Sequence, residues 1–347
     1  IYLRRPEPRK SHLALAKIHD PVVESFWPTR EILLTHWQDG RWPEVVHRVL
    51  EFQERYATSA TAKIDKYAKL LAEATGKTLQ APPRPPLRLV PPYWAVKGPQ
   101  DPWWGLSSEA IEIAINEFGP GRIMPIIATT NDTPIDRFAD LLGDLHDDCR
   151  EVFCWRGSWD EANADVTDID GWAKTITAAQ SFGVEVTNLY GGYLSVLLTG
   201  VGLHGVNHGV GYSEQRDVRR LGETGAPPTR YYVPALRTFA SRANAQPIVD
   251  SLPANWACSC EVCERVKEDG IPIIDALSVE DLKRHFLICR ARELERVRYS
   301  LTDELNELEE ISSWMSARQM PGVIPVATGS RLGLWASALR RLVASTA

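Results

Sequence analysis

Cys258-Ser259-Cys260-Glu261-Val262-Cys263 is the stretch on which the reading of this chain turns. It packs three of the chain's six cysteines into six residues. A tight loop of this kind lets three sulfurs converge, and His285, 22 positions beyond Cys263, stands where a following helix can return to the loop. Three thiolates and one imidazole make the four-ligand set of a structural Zn²⁺. That set leaves no open position, so the expected zinc holds structure and does no chemistry. Cys289, one helical turn past His285 on the same face, is the rival fourth ligand. Its plainer reading, shared with Cys149 and Cys154, is buried apolar filler. Clustered cysteines point to metal in a reducing compartment rather than to a disulfide framework, and the expected location is cytoplasmic.

Outward from this loop, the chain changes character in both directions. From Ser278 onward it reads as helical, with Leu282, Phe286, Cys289 and Leu294 on one face and Asp303 to Glu310 as a charged, solvated face. A last helix covers Gly329 to Ala347. Upstream, short apolar runs alternate with helical stretches. The strands expected are Leu87–Val90, Arg122–Ala128, Glu151–Trp155, Val184–Leu189, Leu203–Val206 and Tyr231–Leu236. The helices expected between them are Ser107–Phe118, Pro134–Asp148, Asp168–Phe182 and Ser213–Leu221, with Ser107 and Asp168 as N-caps. Such alternation implies parallel strands with helical crossovers. Further upstream, Ala81-Pro82-Pro83-Arg84-Pro85-Pro86 is an extended linker. Before it lies a helical region that includes Leu13–Ile18, a helix opening at Trp42-Pro43, where proline suits the first turn, and another from Thr61 to Ala74.

The domains expected are therefore a helical region over 1–80, an α/β TIM-like (β/α)8 barrel over 81–257 and a zinc-binding helical subdomain over 258–347. About 170 residues is short for eight β/α units, and six strands are too few. An incomplete barrel, undetected strands and a doubly wound open sheet are the alternatives.

Composition sets the outer limits. The chain has 347 residues, 44% of them hydrophobic and 24% charged, as in an ordinary folded protein. No apolar run approaches a membrane span, and no charged segment followed by an apolar run reads as a secretion signal; no membrane partner is expected. With 39 Lys+Arg against 45 Asp+Glu, the net charge is -6, which excludes nucleic acid over the whole surface but leaves room for a basic face. Two candidate faces are Arg216, Arg219 and Arg220, and Lys283, Arg284, Arg290, Arg292, Arg296 and Arg298. They are phosphate contacts or solvated faces offset by Glu293 and Glu295.

The zinc loop, followed by His285-Phe286-Leu287-Ile288-Cys289-Arg290-Ala291-Arg292-Glu293-Leu294, resembles the zinc signature of the tRNA-guanine transglycosylases and their DNA-modifying relatives. Further stretches resemble that family in order along the chain. Val152-Phe153-Cys154-Trp155-Arg156-Gly157-Ser158 sits where the family has a strand ending in V-Q-G-G or V-Q-G-S. Leu189-Tyr190-Gly191-Gly192-Tyr193-Leu194 sits at its glycine-pair loop. Leu203-His204-Gly205-Val206-Asn207-His208-Gly209 is similar to the next strand, and Met124 to Pro134 to a strand whose Asp recognises the base. The resemblance implies a (β/α)8 barrel with a zinc subdomain. It also implies base exchange in DNA or tRNA: a carboxylate attacks C1′ of a nucleotide, guanine leaves, and a 7-deazaguanine replaces it. Asp132 would contact the purine, with Arg156 in place of the family's Gln and Arg156, Gly157, Gly191, Gly192 and His208 lining the site.

The sequence departs from the family where the nucleophile belongs. Arg230-Tyr231-Tyr232-Val233-Pro234-Ala235-Leu236-Arg237 has Tyr231 or Tyr232 where Asp is expected, and the first catalytic Asp has only Asp101 as a poor counterpart. The remaining candidates each have a second reading. Asp132 is a mouth carboxylate or the N-cap of a helix at Pro134. Glu214 is a mouth carboxylate or a first-turn Glu favoured by the helix dipole. His204 and His208 form an acid/base or metal group with Asp132, or are hydrogen-bonded loop histidines. Three functions follow: transglycosylase-like exchange with Asp132 and Glu214 as the catalytic carboxylates; a catalytically silent relative that binds nucleic acid or a partner subunit through the zinc subdomain, or assembles as a homo-oligomer; and an unrelated barrel hydrolase using Asp132, His208 and Glu214.

Overall fold

The computed structural model describes residues 40–59, 69, 72, 88–145, 147–157, 159–207, 230–268, 273–317 and 327–346. The expectations for Leu13–Ile18, for nearly all of Thr61–Ala74, for the 81–86 linker and for the helix Ser213–Leu221 lie outside these residues. So do those for His208, Glu214, Arg216, Arg219 and Arg220.

Helix α1 (Trp42–Ser59) starts at the expected Trp42-Pro43 and buries Trp42, Val46, Val49 and Leu50. Strand β1 (Ala95–Val96) follows, then α2 (Pro102–Phe118), β2 (Ile126–Thr129), α3 (Arg137–Leu142), β3 (Glu151–Arg156), α4 (Val166–Phe182), β4 (Glu185–Leu189), α5 (Tyr193–Thr199) and β5 (Gly205–Asn207). The strands form one parallel sheet in the order β1-β2-β3-β4-β5. Each helical connection advances by one position. The order therefore has none of the reversal that defines a doubly wound sheet, and that alternative does not describe these five strands.

Alternation along the strands sorts their side chains. Ile127, Val152, Cys154 and Val186 join the main core with Ile111, Phe138, Trp172 and Leu197 of the helices. Ala128 and Trp155 point to the other face and meet Tyr93 in a separate small cluster.

Several boundaries differ from expectation for local reasons. Of the expected strand Leu87–Val90, the described residues 88–90 form no strand: Leu89 makes an isolated bridge to Ile123, because Pro91-Pro92 cannot donate to a ladder. Helix α2 begins earlier than Ser107, at Asp101-Pro102, where Asp101 accepts from the Trp103 amide and proline presets the first turn. Ser107 lies inside the helix and donates back to the Trp103 carbonyl. Asp165 caps α4, and Asp168 is the N3 partner in a reciprocal capping box.

The sixth expected strand leaves the parallel sheet altogether. Residues Arg230–Val233 (β6) and Thr238–Ser241 (β7) form an antiparallel hairpin. Pro234 ends the ladder and opens a 3-10 turn, and Arg237 reverses the chain at φ 52.

Beyond the hairpin come α6 (Arg242–Ser251), α7 (Glu261–Glu268), α8 (Ile273–Ala276), α9 (Val279–Tyr299), α10 (Leu301–Ser316) and α11 (Ala327–Thr346). Ser278 caps α9 in a second capping box with Asp281. The Asp303 to Glu310 stretch is not wholly solvated: Glu304 is 2% exposed. Its carboxylate accepts from Arg237, at 2.7 Å, and from the Tyr193 hydroxyl, so α10 turns this acid inward onto α5 and the hairpin. Among the described residues, no helix is long and apolar enough to cross a membrane.

Candidate functional site

The loop before α7, the first turn of α7 and the second turn of α9 bring Cys258, Cys260, Cys263 and His285 together, with their ligand atoms within 4.8 Å of one another. The His285 Nδ1 lies 3.8 Å from the Cys258 sulfur, 3.3 Å from Cys260 and 3.4 Å from Cys263. A tetrahedral ion with the usual zinc–sulfur and zinc–nitrogen bond lengths sets such N···S separations at roughly 3.6 Å, inside the observed spread.

The second shell fits as well. The other ring nitrogen, Nε2, donates to the Tyr232 carbonyl at 2.7 Å, which leaves the Nδ1 lone pair for an ion. The Tyr231 ring stacks on His285 at 4.5 Å, and its hydroxyl is 3.4 Å from the Cys263 sulfur. The four side chains are thus a site that could hold a metal ion. When no ion competes, a proton takes that place. His285 is pushed up to about 10, because burial, which opposes its charge, is outweighed by hydrogen bonds with Cys258 and Cys260.

Sequence reasoning recognised these four residues, weighed Cys289 as a rival ligand, and left Tyr231 and Tyr232 without a role at the cluster. Cys289 is buried, as apolar filler would be, yet its sulfur is 3.8 Å from that of Cys258 and 3.6 Å from His285 Nδ1. Tyr231 and Tyr232, noted only as replacements for a missing carboxylate, line the cluster. Their signal was their place in a short strand upstream of the cysteines. The Tyr232 hydroxyl also donates to the buried Glu293 at 2.8 Å.

The second candidate region is the C-terminal edge of the parallel sheet. The register Val96↔Thr129↔Arg156 sets Lys97, Thr130 and Gly157 side by side just beyond the strands. Asp132 follows on an exposed turn, 3.5 Å from Lys97. A hydrogen bond from Thr130 holds its carboxyl below the ordinary range. It is no helix cap: α3 begins at Arg137, several residues later. Arg156 is largely committed to structure, donating to Asp168 at 2.8 Å and to the Asn131 carbonyl at 3.1 Å. The Gly157 amide extends the ladder to the Thr129 carbonyl. Asp101, as the cap of α2, is occupied.

Gly191 and Gly192 lie between β4 and α5. A Cβ on Gly191 would stand 2.6 Å from the Ser195 hydroxyl and 2.8 Å from Val206, so the close approach demands glycine. Beneath this loop sits a carboxylate that sequence reasoning missed. Glu161 is 4% exposed and accepts from the Ser195 amide and hydroxyl and from Asn188. Burial pushes its carboxyl up. A lone Glu four residues past Gly157 carries no sequence signal for such a role.

The basic face on α9 is mostly spent internally. Arg284 pairs with Glu261, and Arg296 with Glu304 and Glu307. Arg290 is buried beside Glu293, over the rings of Tyr193, Tyr232 and Phe286. The groove of about 520 Å³ between α9 and α10 sets Arg292 and Arg296 against four acids, Glu295, Asp303, Glu304 and Glu307, a balance that repels phosphate. His204 is paired with Glu185 at 3.3 Å, away from Asp132's contacts.

No family model, curated protein or solved structure matches the chain.

Proposed function

We propose that this chain is a transglycosylase-like protein. In this reading it holds a guanine-like base of DNA or tRNA at the C-terminal edge of its sheet and exchanges it for a 7-deazaguanine, in a cytoplasmic setting where its thiols stay reduced. The five parallel strands are then part of a TIM-like (β/α)8 barrel. Zn²⁺ in the Cys258, Cys260, Cys263 and His285 site supplies a structural cross-link between the loop before α7 and α9, and takes no part in the exchange. The observation that carries the reading is the joint one: a Cys3His cluster downstream of a sequentially wound parallel sheet whose strand ends present Asp132, Arg156 and the Gly191-Gly192 loop. Strand ends of this kind are where barrel chemistry is done. Asp132, exposed and ionised, is the group available to accept from a purine edge; Glu214 is the second carboxylate of the proposal.

A second reading, binding without exchange, is favoured by one specific feature. Tyr231 and Tyr232 are 1% and 0% exposed and packed against His285 and Phe286, so the segment expected to carry the nucleophile offers no carboxylate. Labelled guanine supplied with bulk tRNA and with duplex DNA separates the two readings. Exchange predicts incorporation that falls on the order of a hundredfold in Asp132→Asn. No incorporation, with salt-dependent nucleic-acid binding intact, removes the exchange and leaves the binding protein.

A further inference from the structure

The metal cluster has a fifth member, Cys289, that the four-ligand set does not use. Among its sulfurs, Cys260 and Cys263 are fully buried, while Cys258 is only partly so. Cys258 and Cys289 both line a cleft of about 250 Å³ that runs past Trp256 and Arg292. Their sulfurs are 3.8 Å apart and would close to the roughly 2.05 Å of a disulfide on oxidation. An accessible thiolate beside a second, resolving cysteine is the arrangement of a reversible thiol sensor.

We propose that Cys258 and Cys289 form an oxidative release site for the metal, with a hydroperoxide as the oxidant. The inference rests on the zinc reading above. The Cys258 thiolate attacks one peroxide oxygen, the O–O bond breaks, and the sulfenic acid forms as hydroxide leaves. The Cys289 sulfur then attacks that of Cys258, the S–O bond breaks, and a second hydroxide leaves. The two hydroxides become water with the proton from Cys289 and one from solvent. Two thiol sulfurs are oxidised by two electrons, and hydrogen peroxide is reduced to two waters. The ion loses one of its four donors and departs from a site reduced to Cys260, Cys263 and His285. Neither buried ligand needs to meet the oxidant, and a dithiol reductant reverses the change.

The test uses the full chain and hydrogen peroxide itself. Zinc content before treatment reads the metal assignment; zinc release to a chromogenic chelator, with peptide mapping under non-reducing conditions, reads the switch. The expected result is one equivalent of zinc at the start, a Cys258–Cys289 disulfide appearing together with its release, and recovery after dithiothreitol. Cys289→Ser should hold the same zinc and release it at least fivefold more slowly. A Cys260–Cys263 disulfide in the wild type, or an unchanged release rate in Cys289→Ser, overturns the switch while leaving the zinc site standing. A protein isolated without zinc overturns both, and does so before any peroxide is added.

Discussion

The metal cluster and the strand-end edge are built on opposite plans. In the cluster, the polar atoms are matched within the protein: Nδ1 with three sulfurs, Nε2 with a carbonyl, the Tyr231 hydroxyl with Cys263. At the strand ends, the exposed carboxylate of Asp132 leans on a lysine in solvent, and the guanidinium beside it is held by its own chain. The first region is complete without a partner apart from an ion. The second is an exposed edge whose groups pair with one another at the surface. Buried polar contacts are concentrated at the cluster and exposed ones at the strand ends.

If the cluster holds zinc as proposed, removing the ion tests that division most severely. Structural zinc in small domains contributes on the order of 10 kcal/mol of apparent folding free energy. Cys260→Ala, or exhaustive chelation, is therefore expected to abolish zinc binding and melt α7 and the start of α9. Circular dichroism and metal analysis read this directly. Acid should act the same way, because proton uptake by the thiolates and by His285 competes with the ion. Metal loss that left the helical signal intact would show that the aromatic and buried-ion contacts, rather than the ion, hold this region.

Next in size is the link between the two regions. Arg237 and Glu304 are 2% and 1% exposed in their side chains and join the β6-β7 turn to α10, while the Tyr193 hydroxyl ties Glu304 to the helix after the Gly191-Gly192 loop. Breaking a buried pair leaves a charge unpaired and costs about 3–5 kcal/mol. Glu304→Ala should lose that much in urea unfolding, and Arg237→Met with Glu304→Leu together should recover part of it. Equal losses in the single and double variants would mean the pair is not what joins the regions.

The same contrast explains what was legible in the sequence. Cys258, Cys260, Cys263 and His285 could be read because three ligands share one loop and the fourth stands on the adjacent helix; spacing alone encodes such a site. Strand identity was readable from apolar runs, and β3 and β4 fall within a residue of expectation. What could not be read depended on separation in the chain or on competing caps. Asp101-Pro102 outcompeted Ser107, Pro234 turned a supposed sheet strand into a hairpin, and Glu304 was drawn inward by an arginine 67 residues away. Arg156 looks identical in sequence whether it faces a base or Asp168.

Glu161 offers a subtler probe of the edge. Its carboxyl is raised by burial beneath the glycine loop, so the native state holds that proton more tightly than the unfolded chain does. Stability contributed by this group is present below the ordinary glutamate value of 4.5 and is lost as pH rises through the folded value. Glu161→Gln should remove that dependence. The difference in unfolding free energy between variant and wild type should then move in the variant's favour from pH 4.5 upward, measured with zinc saturating so that the cluster's opposite acid response cancels. A difference that is flat with pH would mean the carboxylate is charged in the folded protein.

The smallest stability effect is the one that isolates function. Asp132 is exposed, and its ion pair with Lys97 is of the surface kind that contributes little to stability. Asp132→Asn should therefore unfold at the same urea midpoint as the wild type and match its metal content, whatever it does to nucleic acid. This is what gives the exchange experiment its meaning. A variant that folds, binds metal and no longer takes up labelled guanine has lost a contact to substrate. A variant that also unfolds at a clearly lower urea midpoint would move Asp132 from the exposed edge to the part of the molecule that holds itself together, and the proposed base contact would go with it.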